Sequence, residues 1–107
     1  SHRIVGPVNR MASLISLMDE GDISKRLVLR EKDEFLPLAG AINKLLENFS
    51  GTVRASRDNS RRIGDELEDI EKLLKNKNAF ESDISDKLSS INAKKEAIYK
   101  ELSKYKS

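Results

Sequence analysis

The chain has no cysteine and no tryptophan, a single histidine and only two prolines in 107 residues. Without cysteine there can be no disulfide, no thiolate metal site and no cysteine nucleophile. The one histidine, His2, stands at the start of the chain with no phosphoacceptor motif around it, so neither histidine-kinase chemistry nor metal binding is expected here. Aromatic residues make up 5% of the sequence, too few for a deep core in a chain of this length. There is no glycine-rich phosphate loop, and no serine has a base to activate it. Carboxylates such as Asp65, Glu66, Glu68, Asp69 and Glu71 read as a charged helix surface. The longest mostly apolar stretch, Met11 to Met18, is interrupted by two serines. It falls well short of the roughly 18 apolar residues that cross a bilayer. Nothing resembles a signal peptide, and the segment reads as soluble. Twenty basic residues face 18 acidic ones for a net charge of +2, so charge alone implies neither nucleic acid nor an anionic membrane.

What the sequence does have is periodicity. Ile4, Val8, Met11, Ile15 and Met18 form one heptad stripe, and Phe35, Leu38, Ile42, Leu45 and Phe49 form another. Steps of four and three keep apolar side chains on one seam, which fits a facing helix better than a broad core. With 36% charged residues in such a pattern, the composition belongs with coiled coils. The first stripe predicts a helix over 4–19, with Pro7 tolerated early in it and Gly21 ending it. Residues 20–32 read as an extended connector pinned by Ile23, Leu27 and Leu29. A second helix is expected over 33–50, opened by Asp33 and Glu34, whose carboxylates suit the positive end of a helix dipole. Twelve extended residues can climb back along a helix of about 25 Å, so the two helices are expected to run parallel. A pair of narrow seams leaves apolar surface wet, and a two-fold dimer would cover it as a parallel four-helix bundle.

Residues 3–50 resemble a HAMP domain, the linker of bacterial transmembrane receptors. The likeness rests on Pro7, on Gly21-Asp22, on Ile23 and Leu27 in the connector, on Asp33-Glu34 opening the second helix, and on Asn43 within it. Phe35 and Pro37 depart from the usual pattern. The resemblance implies an all-α, parallel homodimeric four-helix bundle. It would sit in the cytoplasmic portion of an inner-membrane protein, between a membrane-spanning helix upstream and an output domain downstream.

Residues 51–107 form a second region. A heptad frame of Val53, Ser56, Ser60, Ile63, Leu67, Ile70, Leu74, Lys77, Glu81, Ile84, Leu88, Ile91, Lys95, Ile98, Leu102 and Tyr105 runs without a slip, and it joins the first stripe by a stutter near 45–53. The preferred expectation is one long coiled-coil stalk, about 110 Å from Asp33 at 1.5 Å per residue. The alternative is a hairpin turning near 75–78, where Lys75-Asn76-Lys77-Asn78 interrupts the pattern and Asn78 with Glu81 fits a capping box. Thr52, Ser56, Asn59 and Ser60 leave the start of this region poor in apolar contacts, a candidate switching joint. Arg54, Arg57, Arg61 and Arg62 read as a solvated flank.

These features together point to a signal relay and not an enzyme. The residues expected to matter for signalling or packing are Pro7, Gly21, Asp22, Ile23, Leu27, Asp33, Glu34, Ile42, Leu45 and Phe49. No cofactor, nucleic acid or small-molecule ligand is expected, and the expected partner is a second copy of the chain. Two other readings stay open: the dimerisation hairpin of a sensor kinase, which requires the turn at 75–78, and a structural coiled-coil spacer.

Overall fold

The described residues form three α-helices, α1 (His2–Asp19), α2 (Leu36–Lys75) and α3 (Glu81–Leu102). The computed structural model describes residues 2–76 and 80–106, and none of these forms a strand. Two compact units divide the chain, 1–51 and 52–107. No helix among the described residues is long and apolar enough to cross a membrane.

Gly21 ends α1 by adopting φ +98°, a left-handed conformation that costs side-chain-bearing residues energy. Its N–H donates to the Met18 carbonyl at 3.0 Å and the Asp22 N–H donates to the Leu17 carbonyl at 2.9 Å, the paired bonds of a Schellman stop. At the other end, α1 begins at His2, two residues ahead of the expected start, so Pro7 sits deeper in the helix. Pro7 is nonetheless buried.

The second helix begins later than its acidic residues suggest. Asp33 accepts the Phe35 N–H at 2.8 Å through Oδ1 and the Leu36 N–H at 3.1 Å through its carbonyl, forming a tight turn ahead of the helix. The first helical bond follows, from the Ala39 N–H to the Phe35 carbonyl at 2.9 Å. Pro37 therefore falls in the first turn, where its missing donor has no partner to lose. From Leu36 the helix continues for 40 residues, about 60 Å.

In the N-terminal unit the connector runs back along α2. Ile23 bonds to Ser50, Arg26 to Glu47 and Leu27 to Asn43, so successive connector residues meet earlier turns of the helix. Because the connector leaves α1 beside residue 50 and arrives at the start of α2, the two helices are parallel within the chain. Met11, Leu14, Leu27, Ala39 and Leu46 form the core, with Met18, Ile23, Leu29, Phe35 and Ile42 packed against it. Leu46 is 1% exposed while its neighbour Leu45 is 59% exposed, which locates the buried face of α2 sharply.

The C-terminal unit corrects the expected straight stalk. α2 stops at Lys75, and α3 returns alongside its second half as an antiparallel hairpin. Glu66 meets Ser90 and Lys94, Asp69 meets Lys87, and Thr52 meets Glu101, so residue numbers rise on one helix as they fall on the other. Folding back is favoured because a lone helix beyond Gly51 would leave Ile63, Ile70 and Leu73 wet, and because the polar run after Leu74 has no apolar residue to sustain a seam. Asn78, offered as the start of a capping box with Glu81, lies outside the described residues. Phe80 occupies the N-cap with extended backbone and no side-chain cap bond, while Glu81 and Asp83 place negative charge at the first turn of α3.

Candidate functional site

Every feature of the N-terminal unit converges on the connector and the way α2 grips it. The side-chain amide of Asn43 replaces a missing stretch of sheet: its Oδ1 accepts the Leu27 N–H at 2.7 Å and its Nδ2 donates to the Leu27 carbonyl at 2.8 Å. A buried backbone unit is thereby satisfied at both ends by one helix residue. One turn further on, Arg26 donates to the carbonyls of Ile23 and Lys25 at 2.8 Å, to Glu47 Oε2 at 2.9 Å and to Ser50 Oγ at 3.4 Å. Ser50 Oγ in turn donates to the Ile23 carbonyl at 3.2 Å. The connector is thus held to α2 by polar bonds at Ile23, Arg26 and Leu27 and by the buried Leu27 side chain.

Of the residues singled out from the sequence, Pro7, Asp33 and Glu34 come together at one end of this unit. They line an open cleft of about 640 Å³ with Gly6, Arg10, Arg30 and Lys32. Gly21 and Asp22 make the turn out of α1, with Asp22 Oδ1 accepting from the Ser24 N–H at 3.0 Å and the Ser24 hydroxyl at 2.6 Å. Those two bonds, hydroxyl first, hold the Asp22 carboxyl below its ordinary value, and nearby Lys25 acts in the same direction. Ile23, Leu27 and Ile42 face inward. Leu45 and Phe49 do not: they lie on an outward stripe with Leu38, matched on α1 by Ile4, Val8 and Ile15. The heptad stripes read from the sequence therefore combine two faces. One set of positions closes the chain on itself and the adjacent set points outward.

The same division appears in the hairpin. The covered positions on α2 include Thr52, Ser56, Asn59, Ile63, Glu66, Ile70 and Leu73, again in steps of four and three. On α3 they include Ile84, Lys87, Ile91, Lys94, Ile98 and Glu101. Leu67, Leu74, Leu88 and Leu102, all in the frame read from the sequence, are 47–69% exposed. Polar side chains thus occupy the inner seam. Glu66 takes hydrogen bonds from the Lys94 ammonium and, at 2.8 Å, from the Ser90 hydroxyl, and these bonds lower its carboxyl pKa in that order. Its second oxygen, Oε2, is buried without a hydrogen-bond partner. Asp69 pairs with Lys87 at 3.2 Å.

Thr52 belongs to this inner seam too, although the sequence marked the run around it as poorly packed. At 2% exposure it is among the most buried residues, and its hydroxyl donates to Glu101 Oε1 at 2.8 Å and lies 3.3 Å from the Tyr105 hydroxyl. Lys104 bonds the same Glu101 oxygen at 2.7 Å. The Lys104 bond first and the Thr52 bond second depress the Glu101 carboxyl, while Glu101 raises Lys104. Sequence reading missed these clasps because each partner looks like an ordinary surface residue until the hairpin brings it across. The one available signal was their spacing, since Thr52, Asn59, Glu66 and Leu73 are each seven residues apart.

The family model of the HAMP domain matches residues 1–51, and this part of the chain belongs to the HAMP domain family. HAMP domains are signal-relay linkers, cytoplasmic parts of bacterial transmembrane receptors that occur as dimers, and they are not catalytic domains. Neither a search of curated proteins nor one of solved structures finds a match to the chain.

Proposed function

We propose that this chain is the cytoplasmic relay of a transmembrane receptor of the inner membrane, working as a homodimer between a membrane-spanning helix upstream and an output domain downstream. The observation that carries this reading is the outward stripe of the HAMP unit, where Ile4, Val8 and Ile15 on α1 and Leu38 and Leu45 on α2 are each about half exposed to solvent. A second parallel copy would bury both strips at once, as a four-helix bundle requires. Displacement of α1 by a membrane helix then reaches α2 by two routes. One is direct packing through Met11, Leu14 and Leu46. The other is the connector, which Gly21 and Asp22 start, Asn43 and Arg26 fasten, and Asp33 with Glu34 deliver to the head of α2. Pro7, Ile23, Leu27 and Ile42 hold the packing that makes the two routes one unit.

In the receptor that carries this chain, Gly21→Ile tests the proposal. A relay loses or locks its response, because a β-branched residue at φ +98° forces the connector out of place. A structural spacer keeps its output unchanged.

The fold-back between Lys75 and Glu81 favours a second reading for the C-terminal unit alone, the dimerisation hairpin of a sensor kinase. Its helices contain no histidine, so this hairpin would dimerise without accepting phosphate on that side chain. Phosphate transfer to any hairpin residue would revive an enzymatic role.

A further inference from the structure

We infer that the cleft at the head of the HAMP unit receives the phosphate of an anionic phospholipid headgroup, held by Arg10 of α1 and by Arg30 and Lys32 at the end of the connector. All three residues are exposed, and none forms an ion pair among the described residues. Arg26, Arg61 and Arg62, by contrast, each meet a carboxylate. Asp33 and Glu34 share the cleft, so three cations against two carboxylates leave it net positive. Asp33 already spends Oδ1 on the Phe35 N–H. The opening of about 640 Å³ lies within the ordinary range of ligand clefts, roughly 300–1,000 Å³.

The connector adds an apolar edge to these charges. Leu27 is buried and Leu29 half-buried, so the alternation of an extended segment turns Val28 and Arg30 outward. Val28 is 79% exposed, the highest value among the large apolar residues described. Arg10 donates to the Val28 carbonyl at 3.4 Å, which brings the α1 cation beside it. A bare valine between two guanidinium groups suits the boundary of a membrane, where phosphate meets the cations and the edge of the acyl layer meets the side chain. A soluble anion would leave the valine without a use.

Position favours the same ligand. The inference rests on the relay reading, in which the start of α1 is the end nearer the membrane, and the cleft opens there beside Gly6 and Pro7. A second copy on the outward stripe leaves the cleft free. At 3.6 residues per turn, Gly6 and Arg10 lie about 160° around α1 from Ile4, Val8 and Ile15. The basic side and the apolar stripe are therefore opposite faces of one helix. A headgroup in the cleft would tie α1, through Arg10, to the segment that delivers the chain to α2, through Arg30 and Lys32. It would resist displacement of one helix against the other, so the set point of the relay would follow the anionic lipid content of the membrane.

The test mixes the full chain at low salt with vesicles of phosphatidylcholine alone, or of equal parts phosphatidylcholine and phosphatidylglycerol, and reads the bound fraction by sedimentation. Binding is expected to the anionic vesicles only. Replacing the cleft cations together, Arg10→Gln with Arg30→Gln and Lys32→Gln, is expected to weaken it roughly 100-fold. A control with the same loss of charge elsewhere, Arg57→Gln with Arg61→Gln and Arg62→Gln, is expected to keep most of it. Arg30→Glu alone, at an exposed connector site, should weaken binding while circular dichroism shows the helices intact. Equal loss in the two triple variants overturns the inference, as does equal binding to both vesicles or binding to neither. Release of the chain from anionic vesicles by inorganic phosphate at matched headgroup concentration assigns the cleft to a free anion and also overturns it. Gly21→Ile reads the relay itself in the receptor, so failure of vesicle binding is distinguishable from failure of that reading.

Discussion

Asn43 and Leu27 are joined by two hydrogen bonds, 2.7 Å from the Leu27 N–H to Oδ1 and 2.8 Å from Nδ2 to the Leu27 carbonyl. A helix side chain here does the work of a neighbouring β-strand for a segment that has none. Removing it strands a donor and an acceptor beside a buried leucine. Asn43→Ala is expected to destabilise the HAMP unit by about 1–3 kcal/mol, the cost of unpaired buried polar groups. Urea unfolding followed by circular dichroism measures it, and a shift near zero would mean that the connector is not fastened there.

The turn out of α1 gives a second prediction. Gly21 has open space around its missing Cβ but a φ of +98°. Gly21→Ala is therefore strained by its backbone and not by a clash, with an expected loss of roughly 1–2 kcal/mol. Gly40, which is helical and equally open, should accept alanine without loss; unfolding midpoints of the two variants give the comparison.

Neighbouring leucines separate folding from assembly. Leu46→Ala opens a cavity in the core and should cost about 2–5 kcal/mol at any protein concentration. Leu45→Ala removes an exposed side chain, so its effect should grow as the chain is concentrated and vanish on dilution. Sedimentation and thermal unfolding across a concentration series distinguish the two behaviours.

Acid should loosen the hairpin. Glu66 is held below the ordinary Glu value of 4.5 by Lys94 and then Ser90, so the folded chain binds its proton more weakly than the unfolded chain does. The stability this contributes is fully present above 4.5 and is lost as pH falls through the depressed folded value. Glu101 adds to the same acid limb through Lys104 and Thr52. Thermal midpoints recorded from neutral pH downward should fall, and Glu66→Gln should start lower at neutral pH and fall less.

The N-terminal unit was legible in the sequence because its turns rest on residues with few other uses. Gly21 in a left-handed stop, Asp33 ahead of a helix and Asn43 on an otherwise apolar face each announce a backbone need. The hairpin was harder to see. No glycine or proline marks the break between Lys75 and Glu81, and the apolar frame through Leu67, Leu74, Leu88 and Leu102 keeps its phase across it. Those four leucines proved to be exposed, while the alternate positions of the same frame, Ile63, Ile70, Ile84, Ile91 and Ile98, lie on the covered side. The seam that closes the hairpin runs through Glu66, Lys87 and Lys94, and a count of apolar residues passes over charges whose partners lie some 18–28 residues away. Start points shifted for a related reason: Asp33 spends its side chain on a turn, which moves the first helical bond to Phe35.

The central claim is that a second, parallel copy covers the outward stripe of the HAMP unit. Its most direct test is the distance between spin labels on matched residues of two full chains, placed at position 15 on α1 and at position 45 on α2. The account predicts short and similar separations at both sites, as two-fold packing around one axis demands. A chain that stays single at high concentration, or pairs with one site close and the other far apart, would contradict it.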